Sequence, residues 1–275
     1  MNPQLAQVLA RTASIMDHSG SPALGAPYRG PVHAGVDLGT AYTVLVVLDE
    51  DRQPLAGEYR FAQVVRDGLV VDFVGAVALL RALKEQVEQH LGVALTHAAS
   101  AYPPGVPRAE VRATANVLQA VGLECTGLID EPSAANNVLQ VEDGAIVDVG
   151  GGTTGVAVIR AGQVVYTADE ATGGTHFSLV IAGAKNISFE QAEALKTDPR
   201  QQAALFPVVR PVMEKVATIV RRHIAGQDVK TIYLVGGTVA FPGIAAVVEE
   251  ITGVTTLVPG APLFVTPLGI AMHDN

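Results

Sequence analysis

The sequence predicts an α/β protein made of two equivalent lobes that face each other. Apolar strands and amphipathic helices alternate from Val32 onward, and this alternation is typical of α/β folds. A repeated plan is the second observation. Each half of the chain has a strand with an aspartate, then a glycine turn and then a second strand. These units span residues 36–48 and residues 147–159. One such unit in each half of the chain indicates one lobe per half.

Composition excludes several classes of protein. The 275 residues suffice for two domains, and 49% of them are apolar while 16% are charged, which excludes a disordered chain. No apolar run approaches the ~20 residues of a membrane span. A net charge of −9 does not favour binding to nucleic acid or to an anionic membrane, both of which attract positive charge, so we expect neither as a partner. A single cysteine, Cys125, and the lack of a secretory signal indicate a cytoplasmic protein.

The first 31 residues are expected to form an amphipathic helix on a flexible tether. Leu5, Val8, Leu9 and Ile15 recur at roughly helical spacing, and residues 17–31 are rich in Gly, Ser, Pro and Ala. The helix could dock on the body of the protein or on a partner. The sequence leaves both interpretations open.

The first lobe is assigned to residues 32–145, and the chain is expected to return to it at residues 259–275. Strands are predicted at residues 32–38, 42–48 and 95–101. One helix ends near Gly92, and a second begins at Pro107 and ends at Gly122, where a left-handed cap is expected. The apolar stripe of the earlier helix consists of Ala76, Leu80, Leu83, Val87 and Leu91.

The second lobe is assigned to residues 146–258. Strands are predicted at residues 145–149, 154–159, 163–166 and 232–235. Ser188 and Gln191 form a capping box that begins a helix. Pro211 is expected to begin a longer helix that continues to Ile224.

Both glycine turns are candidate phosphate sites. Glycine lets backbone N–H groups approach an anion closely because no Cβ stands in the way. Asp37 and Asp148 precede the two turns, and a carboxylate beside phosphate is favourable when a hydrated divalent cation lies between them. The two aspartates therefore indicate Mg²⁺ held through water. Thr40 and Thr153 offer hydroxyls to the terminal phosphate oxygens.

A third glycine segment is a candidate site for a nucleoside. Residues 234–238 form a buried strand that ends in Gly236 and Gly237, and bare backbone at a strand end can lie flat against a nucleoside. Glu193 and Lys196 lie one helical turn apart. Together with the glycines they could hold adenine and ribose between two surfaces.

These segments resemble a known superfamily in order and spacing from residue 34 onward. The two phosphate loops and the adenosine loop of the actin, Hsp70 and sugar-kinase superfamily are similar to Asp37-Leu38-Gly39-Thr40, Asp148-Val149-Gly150-Gly151-Gly152-Thr153 and Val235-Gly236-Gly237-Thr238. Residues 129–135 resemble the segment that precedes the second phosphate loop in Hsp70 proteins. Residues 65–73 and 169–176 are most similar to the ethanolamine utilization protein EutJ family, a chaperone-like member of a pathway housed in a bacterial microcompartment.

The resemblance implies two actin-like (ribonuclease H-like) domains with a cleft for ATP or ADP and Mg²⁺ between them. It implies that Asp37 and Asp148 hold Mg²⁺ through water and that Glu131 orders the attacking water, so that Glu131, Asp148 and Thr153 form the catalytic set. The remaining implied contacts to the nucleotide come from Gly39, Thr40, Gly150, Gly151, Gly152, Glu193, Lys196, Gly236, Gly237 and Thr238.

Two departures from Hsp70 bear on activity. Ala240 stands where Hsp70 has an arginine that stacks on adenine, and no residue is a convincing counterpart of the catalytic lysine. Because a positioned cation supplies much of the rate of phosphoryl transfer, a slow Mg²⁺-dependent ATPase is implied. The sequence does not decide whether ATP is hydrolysed. His176 follows Gly173 and Gly174 in a segment that lies near the terminal phosphate in relatives.

The function most consistent with these motifs is a nucleotide-dependent chaperone or assembly switch. Its expected partner is a protein client or a microcompartment enzyme. The protein itself is expected in the cytoplasm, with association with the microcompartment as the alternative. A scaffold that polymerises like actin and a small-molecule kinase are alternatives, although a kinase needs a carboxylate base that we find only in the metal aspartates. A Rossmann enzyme is disfavoured because an apolar strand, not a helix, follows Gly150-Gly151-Gly152.

Overall fold

A computed structural model describes residues 3–17, 27–66, 69–106 and 108–274. The strands are β1 (His33–Leu38), β2 (Tyr42–Leu48), β3 (Pro54–Phe61), β4 (Val65–Arg66), β5 (Leu69–Val70), β6 (His97–Tyr102), β7 (Glu124–Asp130), β8 (Gly144–Val149), β9 (Thr154–Arg160), β10 (Gln163–Glu170), β11 (Thr231–Val235) and β12 (Thr255–Leu257). The α-helices are α1 (Pro3–Met16), α2 (Phe73–Leu91), α3 (Arg108–Ala120), α4 (Glu131–Leu139), α5 (Gly174–Lys185), α6 (Phe189–Thr197), α7 (Pro199–Ile224), α8 (Ile244–Thr252) and α9 (Val265–His273). Within the described residues, none of these helices is long and apolar enough to cross a membrane.

The first of two compact units comprises residues 1–140 and 264–275. Its sheet has the strand order β3-β2-β1-β6-β7, in which β1, β2 and β3 pair antiparallel while β1, β6 and β7 pair parallel. The carboxyl ends of parallel strands meet at one edge of a sheet. Asp37 near the end of β1 and Glu131 directly after β7 are therefore brought to the same edge.

Helix α2 covers one face of this sheet as its apolar stripe predicted. All five residues of the stripe are buried, and Gly92 ends the helix in the left-handed region with φ of 68°. Gly122 after α3 has φ of 79°, which confirms the predicted left-handed cap. Pro107, which we expected to begin α3, lies outside the described residues.

Helix α9 packs closely in the same unit because glycines replace side chains at two contacts. A Cβ on Gly35 of β1 would lie 2.3 Å from the backbone nitrogen of Ala271. A Cβ on Gly269 would lie 1.8 Å from the carbonyl oxygen of Ala134 in α4. Neither position tolerates a larger residue without backbone movement.

Helix α1 packs on strand β3 of the body. Leu9, Ile15 and Met16 are at most 5% exposed, and the tip of Met16 fills the space in which Gly57 of β3 lacks a side chain, 2.4 Å from the ideal Cβ position. Helix α1 therefore docks on the body of the protein, which is one of the two interpretations that the sequence left open. Residues 18–26 of the expected tether lie outside the described residues.

The second unit comprises residues 141–263 and repeats the plan of the first. Its sheet has the order β10-β9-β8-β11-β12, again with an antiparallel hairpin, β8 and β9, joined to parallel strands. In the two units Gly39 donates to the Tyr42 carbonyl, and Gly150 donates to the Thr153 carbonyl, both at 3.0 Å. The predicted α/β fold with two similar halves is confirmed.

The prediction that Pro211 begins a helix is wrong. Helix α7 begins at Pro199, where the Asp198 side chain caps it, and continues through both Pro207 and Pro211. Proline in a helix interior removes one backbone hydrogen bond and is costly. The buried face of α7, which includes Leu205 and Val209 upstream of Pro211, supplies the packing that offsets this cost.

Candidate functional site

The glycine turn of the second unit joins β8 to β9 at residues 150–153. Asp148 lies two residues before it in β8 and is partly buried. The Gly150 N–H is used within the hairpin, because it donates to the Thr153 carbonyl at 3.0 Å. The turn therefore has a fixed backbone, with the Asp148 side chain at its entrance.

A support segment, residues 172–175, holds the turn from one side. The Gly174 N–H donates to the Gly150 carbonyl at 2.9 Å, and the Thr175 N–H donates to the Gly151 carbonyl at 2.8 Å. In a trans peptide the C=O and the following N–H point in opposite directions. The N–H groups of Gly151 and Gly152 must therefore face away from the support segment. Within the described residues, no hydrogen bond takes up either group.

Gly173 is required by close approach rather than by its dihedral angles. Its φ of −160° is open to any residue, but a Cβ at this position would lie 2.5 Å from the Gly150 carbonyl oxygen and 2.8 Å from that of Gly151. His176 caps the first turn of α5, where its Nδ1 accepts from the Gly173 N–H at 3.3 Å. The support segment thus fits the glycine turn without space for a side chain.

The predicted adenosine segment, residues 235–238, lies against the same turn. Val235 of β11 pairs with Asp148 of β8. Gly236 has φ of 96°, and a Cβ there would lie 2.3 Å from Asp148 Oδ1. The Thr238 hydroxyl donates to the Gly150 carbonyl at 2.8 Å. Gly237 begins a short 3₁₀ helix that ends at Ala240.

Glu193 and Lys196 on α6 form a largely buried ion pair next to the support segment. Their charged atoms are 2.6 Å apart, and the side chains are 12% and 13% exposed. Lys196 Nζ also donates to the Gly174 carbonyl at 3.2 Å, and the Ser178 hydroxyl donates to Glu193 Oε2 at 2.5 Å. Burial lowers the pKa of Lys196, opposed by the Glu193 charge. Lys196 is thereby anchored to the support segment.

One buried hydrogen-bond acceptor in this cluster lacks a donor within the described residues. Glu193 Oε1 is buried, and no group within the described residues donates to it. A buried carboxylate oxygen without a donor is costly, and native proteins rarely leave one unmatched. A hydroxyl from a ligand would satisfy it.

The structure divides the predicted site residues between the two units. Ten of them lie in the second unit, where the contacts above join the turn, the adenosine segment and the ion pair. They are Asp148, Gly150, Gly151, Gly152, Thr153, Glu193, Lys196, Gly236, Gly237 and Thr238. Asp37, Gly39, Thr40 and Glu131 lie in the first unit. There the Gly39–Tyr42 hydrogen bond gives its turn the same closure, and Glu131 begins α4, which Asp130 caps through the Ser133 N–H at 3.0 Å.

Sequence reasoning missed the residues that support the turn. The sequence marks Thr172, Gly173 and Gly174 only through the family resemblance. In the structure, Gly173 packs against the carbonyls of Gly150 and Gly151, and Gly174 donates to the Gly150 carbonyl. A pair of glycines between a strand and a helix was the available signal. Within the described residues, no cluster of three His, Cys, Asp or Glu could ligate a metal directly. The Mg²⁺ site predicted from the sequence stays a prediction, in which Asp37 and Asp148 would bind the ion through water.

Comparison with known proteins gives a consistent set of relatives. The family model of the type IV pilus assembly protein PilM matches residues 133–265, and that of the MreB/Mbl protein matches residues 56–185. The ethanolamine utilization protein EutJ of Salmonella typhimurium is 45% identical over 242 residues, which are 88% of this chain and 85% of that protein. A chaperone protein HscA homolog of Chromobacterium violaceum is 27% identical over 72% of this chain and 40% of that protein.

Solved structures show the same fold. The crystal structure of EutJ from Carboxydothermus hydrogenoformans has a TM-score of 0.91, 45% identity, and coverage of 98% of both chains. MreB 5 of Spiroplasma citri bound to AMPPNP has a TM-score of 0.70 at 17% identity, with coverage of 89% of this chain and 96% of the other. The second likeness concerns the fold alone, which is actin-like.

Proposed function

Since the chain belongs to the ethanolamine utilization protein EutJ family, we propose that it binds ATP with Mg²⁺ and acts as a nucleotide-dependent switch in ethanolamine utilization. The observation that carries the proposal is the backbone of the glycine turn. Two carbonyls are fixed to the support segment, and the N–H groups of Gly151 and Gly152 are left without acceptors inside the described residues. Adjacent, fixed N–H groups of this kind favour an anion such as phosphate.

The residues present fit a magnesium nucleotide. Asp148 lies beside the turn, and the space next to its carboxylate is kept open because Gly236 has no Cβ there. Asp148, and Asp37 in the first unit, would hold Mg²⁺ through water, and the ion would supply charge neutralisation of the phosphates. Thr153, and Thr40 in the first unit, would add hydroxyl contacts. Glu131 would orient a water if ATP is hydrolysed.

The nucleoside would bind where the adenosine segment and α6 meet the turn. Gly236 and Gly237 present bare backbone, and the unsatisfied Glu193 Oε1 is an acceptor for a ribose hydroxyl. Lys196 donates to Glu193 Oε2 and to the Gly174 carbonyl, so it ties Glu193 to the support segment. This arrangement supports ATP or ADP as the ligand over an inorganic anion.

A protein client is the proposed partner. The likeness to an HscA chaperone homolog favours a chaperone or assembly switch that acts on an ethanolamine utilization enzyme, and association with the microcompartment is part of the same proposal. A switch requires the client to prefer one nucleotide state. Capture of purified pathway enzymes should therefore differ between MgATP and MgADP.

The melting temperature in the presence of nucleotide tests the binding step. A ligand that binds only the folded state at 100 times its Kd stabilises that state by about 2.7 kcal/mol. MgATP and MgADP should therefore raise the melting temperature by several degrees, whereas Mg²⁺ alone should not. An unchanged melting temperature with millimolar MgATP would remove the basis of the proposal.

Polymerisation into a scaffold is the second candidate, because the MreB/Mbl family model matches residues 56–185. Sedimentation with MgATP distinguishes it from a switch that acts as a single subunit. Pelleting that depends on MgATP and on protein concentration would favour the scaffold. Protein that stays in the supernatant at high concentration would exclude it.

A further inference from the structure

The strand that leads into the support segment, β10, lies at an edge of its sheet. Among the described strands, β10 has β9 as its single neighbour, so it forms an edge of the sheet. Glu170 is its last residue and pairs with Thr154 directly after the glycine turn. The position of the support segment therefore depends on how the end of β10 is anchored.

Helix α7 provides this anchor through side chains in its last turn. The Glu170 carboxylate accepts hydrogen bonds from Arg222 and from His223 Nε2. His223 Nδ1 in turn lies 2.7 Å from the Tyr166 hydroxyl. Tyr166 and Glu170 are four residues apart on a strand and thus share a face. His223 bridges two points of the same strand.

The anchor is charged, and it is not a major source of stability. Hydrogen bonding from Arg222, aided by His223, lowers the pKa of Glu170, so the carboxylate is ionised at neutral pH. The Arg222 side chain is 60% exposed and that of Glu170 is 30% exposed. Ion pairs this exposed contribute little to the free energy of unfolding. Their effect is therefore on the local position of the end of β10.

Short hydrogen bonds connect the anchored residue to the glycine turn. The Thr172 N–H donates to the Glu170 carbonyl at 2.7 Å. The Thr172 carbonyl accepts from the buried Thr154 hydroxyl at 2.6 Å. Gly174 and Thr175, two and three residues later, hold the carbonyls of the turn. A shift at Glu170 thus reaches the N–H groups of Gly151 and Gly152.

We propose that Glu170, held by Arg222 and His223, is a positioning residue for the glycine turn and hence for the phosphates of the nucleotide. The proposal rests on the proposed function for its ligand, and its geometric part stands without one. Glu170 acts through the support segment and touches no ligand itself.

Glu170→Ala tests the proposal, and Glu250→Ala is its matched control. Glu250 of α8 pairs with Arg210 of α7 at 3.1 Å and is also exposed. Within the described residues, no hydrogen bond or ion pair joins Glu250 to the support segment. We expect Glu170→Ala to weaken MgATP binding about tenfold, as for loss of one charge-assisted hydrogen bond. The control should bind as wild type does, and the melting temperatures without ligand should stay within about 3 °C of wild type for both variants.

Amide resonances of Gly151 and Gly152 in ¹H–¹⁵N spectra without ligand provide an independent readout. They should shift in Glu170→Ala and in the milder Arg222→Gln, and remain in place in Glu250→Ala. Unchanged glycine resonances and unchanged affinity in both variants would overturn the proposal. If wild type binds no MgATP, the proposed function fails, and the resonances alone still decide whether Glu170 positions the turn.

Discussion

The hydroxyl of Thr238 donates a hydrogen bond of 2.8 Å to the carbonyl of Gly150. The same carbonyl accepts from the Gly174 N–H at 2.9 Å. A single backbone oxygen therefore connects the adenosine segment, the glycine turn and the support segment. Because both lone pairs of this oxygen are used, the peptide that carries the Gly151 N–H has one orientation.

Thr238→Val removes one of the two donors while it keeps the shape of the side chain. We expect MgATP binding to weaken about three- to tenfold, because the Gly150 peptide loses one of its two fixed contacts. Isothermal titration calorimetry measures the change. Thr238→Ser, which keeps the hydroxyl, should bind like wild type. Equal affinity in the valine variant would show that Thr238 does not orient the turn.

Asp148→Asn should abolish Mg²⁺-dependent ATP binding. The amide has the size of the carboxylate but lacks the negative charge that a hydrated divalent cation requires. The rise in melting temperature with MgATP should disappear, while the melting temperature without ligand should remain near that of wild type. A rise equal to that of wild type would show that Asp148 is not part of the metal site.

Leu9→Ala tests whether α1 belongs to the fold. Leu9 is fully buried, and truncation of a buried leucine costs about 2–5 kcal/mol. Chemical denaturation should report a loss of this size in the free energy of unfolding. Gln7→Ala, at an exposed position of the same helix, should change it by less than about 0.5 kcal/mol. Equal stability of the two variants would indicate a helix that is free to dock on a partner.

Cys125 should be a slow nucleophile. Burial raises the pKa of its thiol, with a smaller opposing effect from hydrogen bonding with the Gly127 backbone. A raised pKa leaves less thiolate at a given pH. Between pH 7 and 8.5, alkylation of the native protein should be at least about tenfold slower than that of glutathione. Rates equal to those of glutathione would contradict this environment.

The parts of the fold that depend on local chemistry could be predicted from sequence. The buried stripe of α2 follows from helical spacing, and the Ser188–Gln191 capping box is present with hydrogen bonds of 3.0 and 3.3 Å. The strand–turn–strand units of both halves follow from alternating apolar runs and glycine. In each case, residues within a few positions of each other carry the information.

The parts that depend on tertiary contact could not be predicted. Pro211 is a strong helix-start signal, and only the buried face of α7 upstream of it shows that the helix begins earlier. The docking of α1 depends on Gly57, which lies far away in sequence. Gly173 resembled an ordinary loop glycine, because its role comes from the nearby carbonyls of Gly150 and Gly151 and not from its own conformation.

The central claim is that the glycine turn, shaped by the support segment, binds the phosphates of MgATP. Calorimetric titration of MgATP into wild type, Gly173→Ala and Gly183→Ala tests it most directly. A Cβ at Gly173 would lie 2.5 Å from the Gly150 carbonyl oxygen, whereas one at Gly183 would meet nothing within 4 Å. The account predicts binding by wild type and Gly183→Ala, and binding at least about tenfold weaker by a folded Gly173→Ala. Equal affinity of all three proteins would contradict it.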